Sequence, residues 1–199
     1  MNIFNIFRSK KITETQQEEI EENESGVYFH EDSFNQVEFL PRENLSYLKT
    51  ENEQIENFAE ENFDGHGFKD VYVRKENPMT IADRKIDFAK LDKILVELEL
   101  EKTSEVYEGY SSARWKCENT FAYTYNRAEI FVTAKNDFVH EFWVNGFRFH
   151  EDTETKTKLK EVLLKIGNEL NLILNDWDLT VVIDLKNEAE TQKYLSEQL

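Results

Sequence analysis

Two periodicities of apolar and polar positions divide the N-terminal half of this chain into strands and a helix. Val27-Tyr28-Phe29-His30 and Val37-Glu38-Phe39-Leu40 are short runs rich in apolar residues, and the polar residues between them favour a turn. We therefore predict a hairpin. From Pro41 to Asn62 the apolar residues recur at helical spacing, which predicts an amphipathic helix. The glycines of Gly65-His66-Gly67 are predicted to end it.

The middle of the chain changes from helical to strand-like patterning. Val71-Tyr72-Val73 predicts a short strand, and the apolar stripe from Phe88 to Leu98 predicts a second helix. Residues 106–150 are dense in aromatic and β-branched side chains, which favours an antiparallel meander. Its predicted strands are Ser112–Cys117, Phe121–Asn126, Glu129–Ala134, Val139–Val144 and Phe147–His150. Asn136-Asp137 and Asn145-Gly146 are predicted turns.

The C-terminal part returns to a helical pattern. Thr153 to Asn175 carries one continuous apolar face and is the clearest predicted helix. Leu179–Asp184 is mostly apolar, which predicts a central strand, and Glu188–Leu195 predicts a short helix. The fold class is therefore α+β, with a mainly antiparallel sheet and three to four helices packed on it. Residues 1–25 are predicted to be a flexible acidic segment that precedes a single domain over 26–199.

Charge restricts the partners that this protein is expected to bind. The 199 residues include 41 acidic and 24 basic side chains, so the formal net charge is -17. Such a surface repels nucleic acid phosphates and anionic lipid, and it speeds encounter with cationic proteins. We expect a basic protein partner and neither nucleic acid nor membrane. The alternative is that the charge serves only solubility.

Cysteine usage and the N-terminal sequence favour a cytoplasmic location. Cys117 is the only cysteine, so no intrachain disulfide forms, and a single thiol fits a reducing compartment. In the first eleven residues the basic side chains follow the apolar ones, which is the reverse of a secretory signal. No apolar run approaches the length that spans a bilayer.

One repeated tetrapeptide raises the question of a metal site. Phe-His-Glu-Asp occurs at 29–32 and again at 149–152, each time at a predicted strand end. If the two strands were adjacent, His30, Glu31, His150 and Glu151 would supply ligands suited to zinc or manganese. The simpler interpretation is that the phenylalanines point inward and the polar residues mark where the chain leaves the sheet.

The remaining candidates for catalysis are weak, and we assign neither a catalytic residue nor a cofactor. His140 and Glu141 are neighbours in a predicted strand, so their side chains are expected on opposite faces, which argues against an acid–base pair. Cys117 has no nucleophile signature around it and is expected to be structural.

The helix that ends near Asn62 and the turn after it are the predicted partner-binding surface. Acidic side chains around an aromatic anchor suit recognition of a surface rich in lysine and arginine. The residues in this prediction are Glu51, Glu56, Glu60, Glu61, Phe63, Asp64, His66 and Phe68. The alternative for each charge is a solvated helix face.

A family resemblance falls in the same part of the chain. Gly26-Val27-Tyr28-Phe29-His30-Glu31-Asp32, then Val37-Glu38-Phe39-Leu40-Pro41, an acidic helix and Phe63-Asp64-Gly65-His66-Gly67-Phe68 resemble immunity proteins of bacterial polymorphic toxin systems. The resemblance covers about the first third of the chain. It implies a cytosolic protein that binds and blocks a toxin, often a basic nuclease, without catalysis of its own.

Three functional hypotheses follow from the sequence. The first is a non-enzymatic binding protein, such as an immunity protein or inhibitor that neutralises a basic toxin or nuclease. The second is a metal-dependent hydrolase that uses the two Phe-His-Glu-Asp segments. The third is a structural or regulatory module whose partner is not basic. The oligomeric state stays open.

Overall fold

A computed structural model describes residues 26–110, 113–148 and 150–196 of the chain. Its ten strands in these residues are β1 (Val27–Phe29), β2 (Val37–Pro41), β3 (Glu101–Thr103), β4 (Val106–Tyr110), β5 (Ala113–Lys116), β6 (Thr120–Tyr125), β7 (Ala128–Lys135), β8 (Phe138–Asn145), β9 (Leu172–Asp176) and β10 (Val181–Ile183). Its four helices there are α1 (Leu45–Asn62), α2 (Phe88–Glu97), α3 (Thr153–Leu170) and α4 (Glu188–Leu195). The predicted α+β class is confirmed. Within the described residues, no helix is both long enough and apolar enough to cross a membrane.

The strands form one large and one small sheet. The seven-stranded sheet has the order β10-β9-β2-β8-β7-β6-β3, and every pair in it is antiparallel. The small sheet has the order β1-β4-β5, with β1 parallel to β4. The predicted meander is confirmed for β6, β7 and β8, which pair in chain order, but its first predicted strand is β5 of the small sheet. Asn136 and Asp137 turn the chain between β7 and β8, and both have positive φ angles, of 52° and 65°.

The predicted N-terminal hairpin is wrong. β1 lies in the small sheet, where Val27 is opposite Val106, whereas β2 pairs with β9 and β8 in the large sheet. The reason is the packing of Phe29, whose ring lies 5.2 Å from Phe131 and 5.3 Å from Trp143. This aromatic cluster places β1 on the face of the large sheet instead of at the side of β2.

The predicted helix over 153–175 is too long. α3 ends at Leu170 because Asn171 adopts a left-handed conformation with a φ of 55°. The next five residues form β9, which lies between β2 and β10 and is buried along its whole length. A strand that is buried on both faces shows no alternation, so its apolar run merged with the helical pattern of α3.

Other predicted strands also differ from the structure. The predicted central strand at 179–184 is β10, which lies at the edge of the sheet. Val71–Val73 is irregular, as are the described residues of 147–150, where Phe149 lies outside the described part. Ser112 is likewise outside it, and β5 covers the rest of that predicted strand except Cys117. β3 and β4 were not among the predicted strands.

The large sheet is covered on both faces. Adjacent residues of β2 and β8 show this, since Phe39 and Phe142 belong to the core beneath α2, α3 and α4, with their rings stacked at 4.0 Å. Leu40 faces the other way, into the cluster with Leu48 of α1. Trp143 also faces that way, into the cluster with the small sheet. The second face therefore carries α1 over β9 and β2 and the small sheet over β8 and β7.

Candidate functional site

The first half of α1 is fixed to the protein. Leu48, Glu51 and Asn52 are buried, with Leu48 completely inaccessible. The Glu51 carboxylate accepts a hydrogen bond from the Tyr72 hydroxyl at 3.1 Å and one from the Lys75 backbone N–H at 3.4 Å. These bonds hold the segment after α1 against the helix, so Glu51 has a structural role.

The second half of α1 and the turn after it are open to solvent. No residue of α1 beyond Asn52 is buried. Six carboxylates between 53 and 70 are exposed, and none of them takes part in an ion pair within the described part of the chain. They are Glu53, Glu56, Glu60, Glu61, Asp64 and Asp70. Lys69 is the only lysine or arginine between positions 51 and 70 of the sequence, so this end of the helix is strongly negative.

A tight turn gives the end of α1 a defined shape. The Asp64 carboxylate accepts hydrogen bonds from the backbone N–H groups of His66 and Gly67, at 3.0 and 3.1 Å. Gly65 has a φ of 93°, which a residue with a side chain rarely adopts. Below the turn, the Lys69 N–H donates to the Asn62 carbonyl at 2.9 Å. The turn is therefore closed by its own hydrogen bonds.

Two aromatic rings project from this turn. Phe63 and Phe68 form a bridge across it, and their ring centroids are 5.4 Å apart. Their exposed fractions are 52% and 66%, which is high for phenylalanine, and Val71 and Val73 beyond them are also exposed. Exposed apolar side chains that cluster, instead of lying singly, are typical of binding surfaces.

Of the residues predicted to bind a partner, all but one are exposed. Glu51 is a correction: it is buried in the anchor of the following segment and is not part of the exposed face. The others are exposed on the last turns of α1 and on the turn that follows. They are Glu56, Glu60, Glu61, Phe63, Asp64, His66 and Phe68, which we name the acidic aromatic surface. The exposed Glu53 and Asp70, which carry the same sequence signal, were not predicted.

The two Phe-His-Glu-Asp segments do not form a metal site. Within the described residues, no group of three or more histidine, cysteine, aspartate or glutamate side chains is arranged to hold a metal ion. The His30 Nδ1 atom accepts a hydrogen bond from the backbone N–H of Asp32, which caps a single 3₁₀ turn. His150 is buried just before α3. The first copy lies at the end of β1, whereas His150 lies in an irregular segment after β8, and Phe149 is outside the described residues.

The expected separation of His140 and Glu141 is wrong. Thr133 is opposite Glu141 but Ala134 is opposite Val139, so His140 is the extra residue of a β-bulge. A bulge breaks the alternation of faces, and the His140 Nδ1 and Glu141 Oε1 atoms lie 3.9 Å apart. Sequence alone gives no signal for such an inserted residue.

His140 and Glu141 line an open cavity of about 280 Å³. β2 and β8 pair only at Glu38 and Trp143, and beyond that point the strands diverge. Residues 86–88 take the place beside β8 instead, with the Val139 N–H donating to the Ile86 carbonyl at 2.9 Å. We call the space between the diverging strands the fork cavity. Its polar walls include Glu38, His140 and Glu141.

Glu38 has the most unusual environment in this cavity. Burial raises the pKa of Glu38 to about 7, although a hydrogen bond from the Trp177 indole and the charge of Arg74 act in the opposite direction. The Trp177 Nε1 donor lies 2.9 Å from the Glu38 Oε1 atom. The Arg74 guanidinium stacks on the Trp177 ring at 4.1 Å. In the sequence Glu38 stands within an apolar strand, and nothing in that pattern predicts this site.

Comparison with known proteins yields no relative: no family model, no curated protein and no solved structure matches this chain.

Proposed function

We propose that this protein binds a basic protein through the acidic aromatic surface, as an immunity protein or inhibitor does when it neutralises a basic toxin or nuclease. The observation that carries the proposal is the exposed pair Phe63 and Phe68, flanked in the chain by exposed carboxylates without an ion-pair partner among the described residues. Interface hot spots combine such an apolar anchor with charges at its rim.

Charge and anchor have different roles in this proposal. The exposed carboxylates attract a cationic partner over distances of about a Debye length and increase the association rate. The two phenylalanine rings then lose water on contact, and each buried aromatic side chain contributes about 1.5–3 kcal/mol of transfer free energy. The hydrogen-bonded turn limits the ordering cost of binding, because it already holds both rings in place.

The test is a comparative capture from a lysate of the source cells. Three forms of the protein are immobilised: the wild type, a surface variant (Glu56→Lys, Glu60→Lys, Glu61→Lys), and a control variant (Glu101→Lys, Glu118→Lys, Glu151→Lys). The control changes the net charge equally at exposed glutamates elsewhere. Proteins retained by each form are quantified by mass spectrometry.

We expect a basic protein that the wild type and the control variant retain and that the surface variant loses. Its own activity is then measured with and without the bound protein, because an inhibitor suppresses that activity. If both variants retain the same proteins in the same amounts, the acidic aromatic surface is not the binding site.

A further inference from the structure

A second site lies in the fork cavity, and it does not depend on the acidic aromatic surface. The cavity lies where β2 and β8 separate, beside the segment that follows α1. From its location and its lining we propose that it binds an organic cation, namely an alkylguanidinium or alkylammonium group such as the side chain of arginine or lysine.

The polar lining of the cavity selects for positive charge. Glu38 on β2 and Glu141 on β8 both line the cavity, and both are partly buried. No lysine or arginine of the described residues lines the cavity, and none of them forms an ion pair with either carboxylate. Arg74 acts on Glu38 through its charge, and its guanidinium stacks on Trp177. A carboxylate removed from water without a bonded cation favours a positively charged ligand.

The size and the remaining walls fit an organic cation better than a metal ion. The described residues contain no cluster arranged to coordinate a metal, so Glu38, His140 and Glu141 do not converge on one small ion. The cavity volume of about 280 Å³ is just below the range of drug-sized ligand sites, so it suits a ligand the size of one side chain. Leu40 and Ile81 give it an apolar wall along which methylene groups can pack.

The ionisation of Glu38 makes a further property of the site testable. Its raised pKa means that part of the population is protonated near pH 6, and a cation binds best when Glu38 is ionised. Binding therefore releases a proton, and affinity rises from pH 6 to pH 8. The groups that face Glu38 are Glu141 and His140 from β8, Arg74 from the segment after α1 and the Trp177 indole.

The experiment is an NMR titration of the full-length protein, observed at the indole N–H of Trp177, which donates to Glu38. Trp177→Phe assigns the signal. The probes are N-acetyl-arginine methylamide, its neutral isostere N-acetyl-citrulline methylamide, and butylguanidinium. The arginine derivative represents a side chain on a protein backbone, and butylguanidinium represents a free small cation. Binding of only one of the two cations identifies the source.

We expect saturable binding of a cationic probe with a Kd of about 1 mM and no saturation with the citrulline compound. Glu38→Gln and Glu141→Gln should each weaken binding at least about fivefold, and Glu38→Gln should flatten the rise from pH 6 to pH 8. Glu129→Gln is the matched control, because Glu129 is also half-buried on the large sheet but does not line the cavity.

Three results would overturn the proposal: no saturable shift with either cation, equal binding of the citrulline compound, or unchanged affinity in both cavity variants. The surface variant at Glu56, Glu60 and Glu61 tests whether the two sites are independent. It should leave the affinity of the fork cavity for the probe unchanged. Failure at the fork cavity thus says nothing against partner binding at the acidic aromatic surface.

Discussion

The two halves of α1 lie in opposite environments. Both carry glutamate and apolar residues at helical spacing, with one glutamate in residues 45–52 and four in residues 53–62. In the first half Leu48 and Glu51 are buried, and the carboxylate holds the following segment through Tyr72 and Lys75. In the second half Glu56 and Glu60 are exposed and lie outside every ion pair of the described residues. The difference teaches that surroundings, not residue type, decide whether a carboxylate stabilises the fold or is available to a partner.

The largest expected effect on stability comes from a substitution in the buried half of α1. Leu48→Ala should lower the free energy of unfolding by about 3 kcal/mol, because it leaves a cavity between α1 and the sheet. Ile55→Ala in the open half is the control and should cost about 1 kcal/mol or less. Urea unfolding followed by circular dichroism measures both. Equal losses at the two positions would mean that the halves are anchored alike.

The second largest expected effect is on the pH dependence of stability. It contrasts the Glu38 carboxyl, buried in the sheet, with the exposed carboxylates of α1. A folded-state pKa of about 7 lies above the usual value of 4.5. Protonated Glu38 therefore favours the folded state, and this contribution is present below about pH 4.5 and lost as the pH rises to 7. Each tenfold change in proton affinity corresponds to about 1.4 kcal/mol.

We expect Glu38→Gln to gain about 2 kcal/mol of stability over the wild type between pH 4.5 and pH 8. The full difference in proton affinity corresponds to about 3 kcal/mol, and partial solvation reduces it. Glu56→Gln on the exposed half of α1 is the control, and its free energy of unfolding should change with pH as that of the wild type does. The free energy of unfolding is measured by urea denaturation at each pH. If that of Glu38→Gln also followed the wild type across this pH range, the assigned environment of Glu38 would be contradicted.

The third effect concerns the hydrogen bond between Tyr72 and Glu51. Tyr72→Phe should lower the free energy of unfolding by about 1 kcal/mol, since a hydrogen bond to a charged group at 3.1 Å is lost while the ring contact with Phe58 stays. Hydrogen exchange should become faster in residues 70–76. Tyr125→Phe is a matched control, because the Tyr125 hydroxyl has no hydrogen bond to the segment after α1. Unchanged exchange in Tyr72→Phe would show that other contacts hold the segment.

The smallest expected effect on stability lies in the turn that carries the aromatic pair. Phe63→Ser and Phe68→Ser should each change the free energy of unfolding by no more than about 0.5 kcal/mol, because both rings are exposed. The same substitutions should weaken partner binding at least about fivefold, since each removes an anchor. A large loss of stability would assign these rings to the fold instead of to the binding surface.

The sequence predicted those elements whose pattern is local. α1, α2 and the meander of β6 to β8 show clear helical or alternating periods, and their bounds agree with the structure within a few residues. β1 and β2 were paired wrongly because their true partners, β4 and β9, are distant in the chain. β9 was missed because a strand buried on both faces shows no period of its own.

The two sites also differ in how far the sequence predicts them. The acidic aromatic surface is contiguous in sequence, so all its members were predicted together, and only the burial of Glu51 was not visible. The fork cavity combines β2, the segment after α1 and the bulge in β8. Because Glu38 and Glu141 are 103 positions apart and the bulge has no sequence signal, only the fold brings them together.

The most direct test of the central claim is the association rate of the captured basic protein, measured by stopped flow at several salt concentrations. We expect the surface variant at Glu56, Glu60 and Glu61 to associate at least about tenfold more slowly than the wild type at low salt, with the difference shrinking as salt increases. The control variant at Glu101, Glu118 and Glu151 should stay closer to the wild type. Equal rates for the two variants at every salt concentration would contradict the claim that the end of α1 is the partner-binding surface.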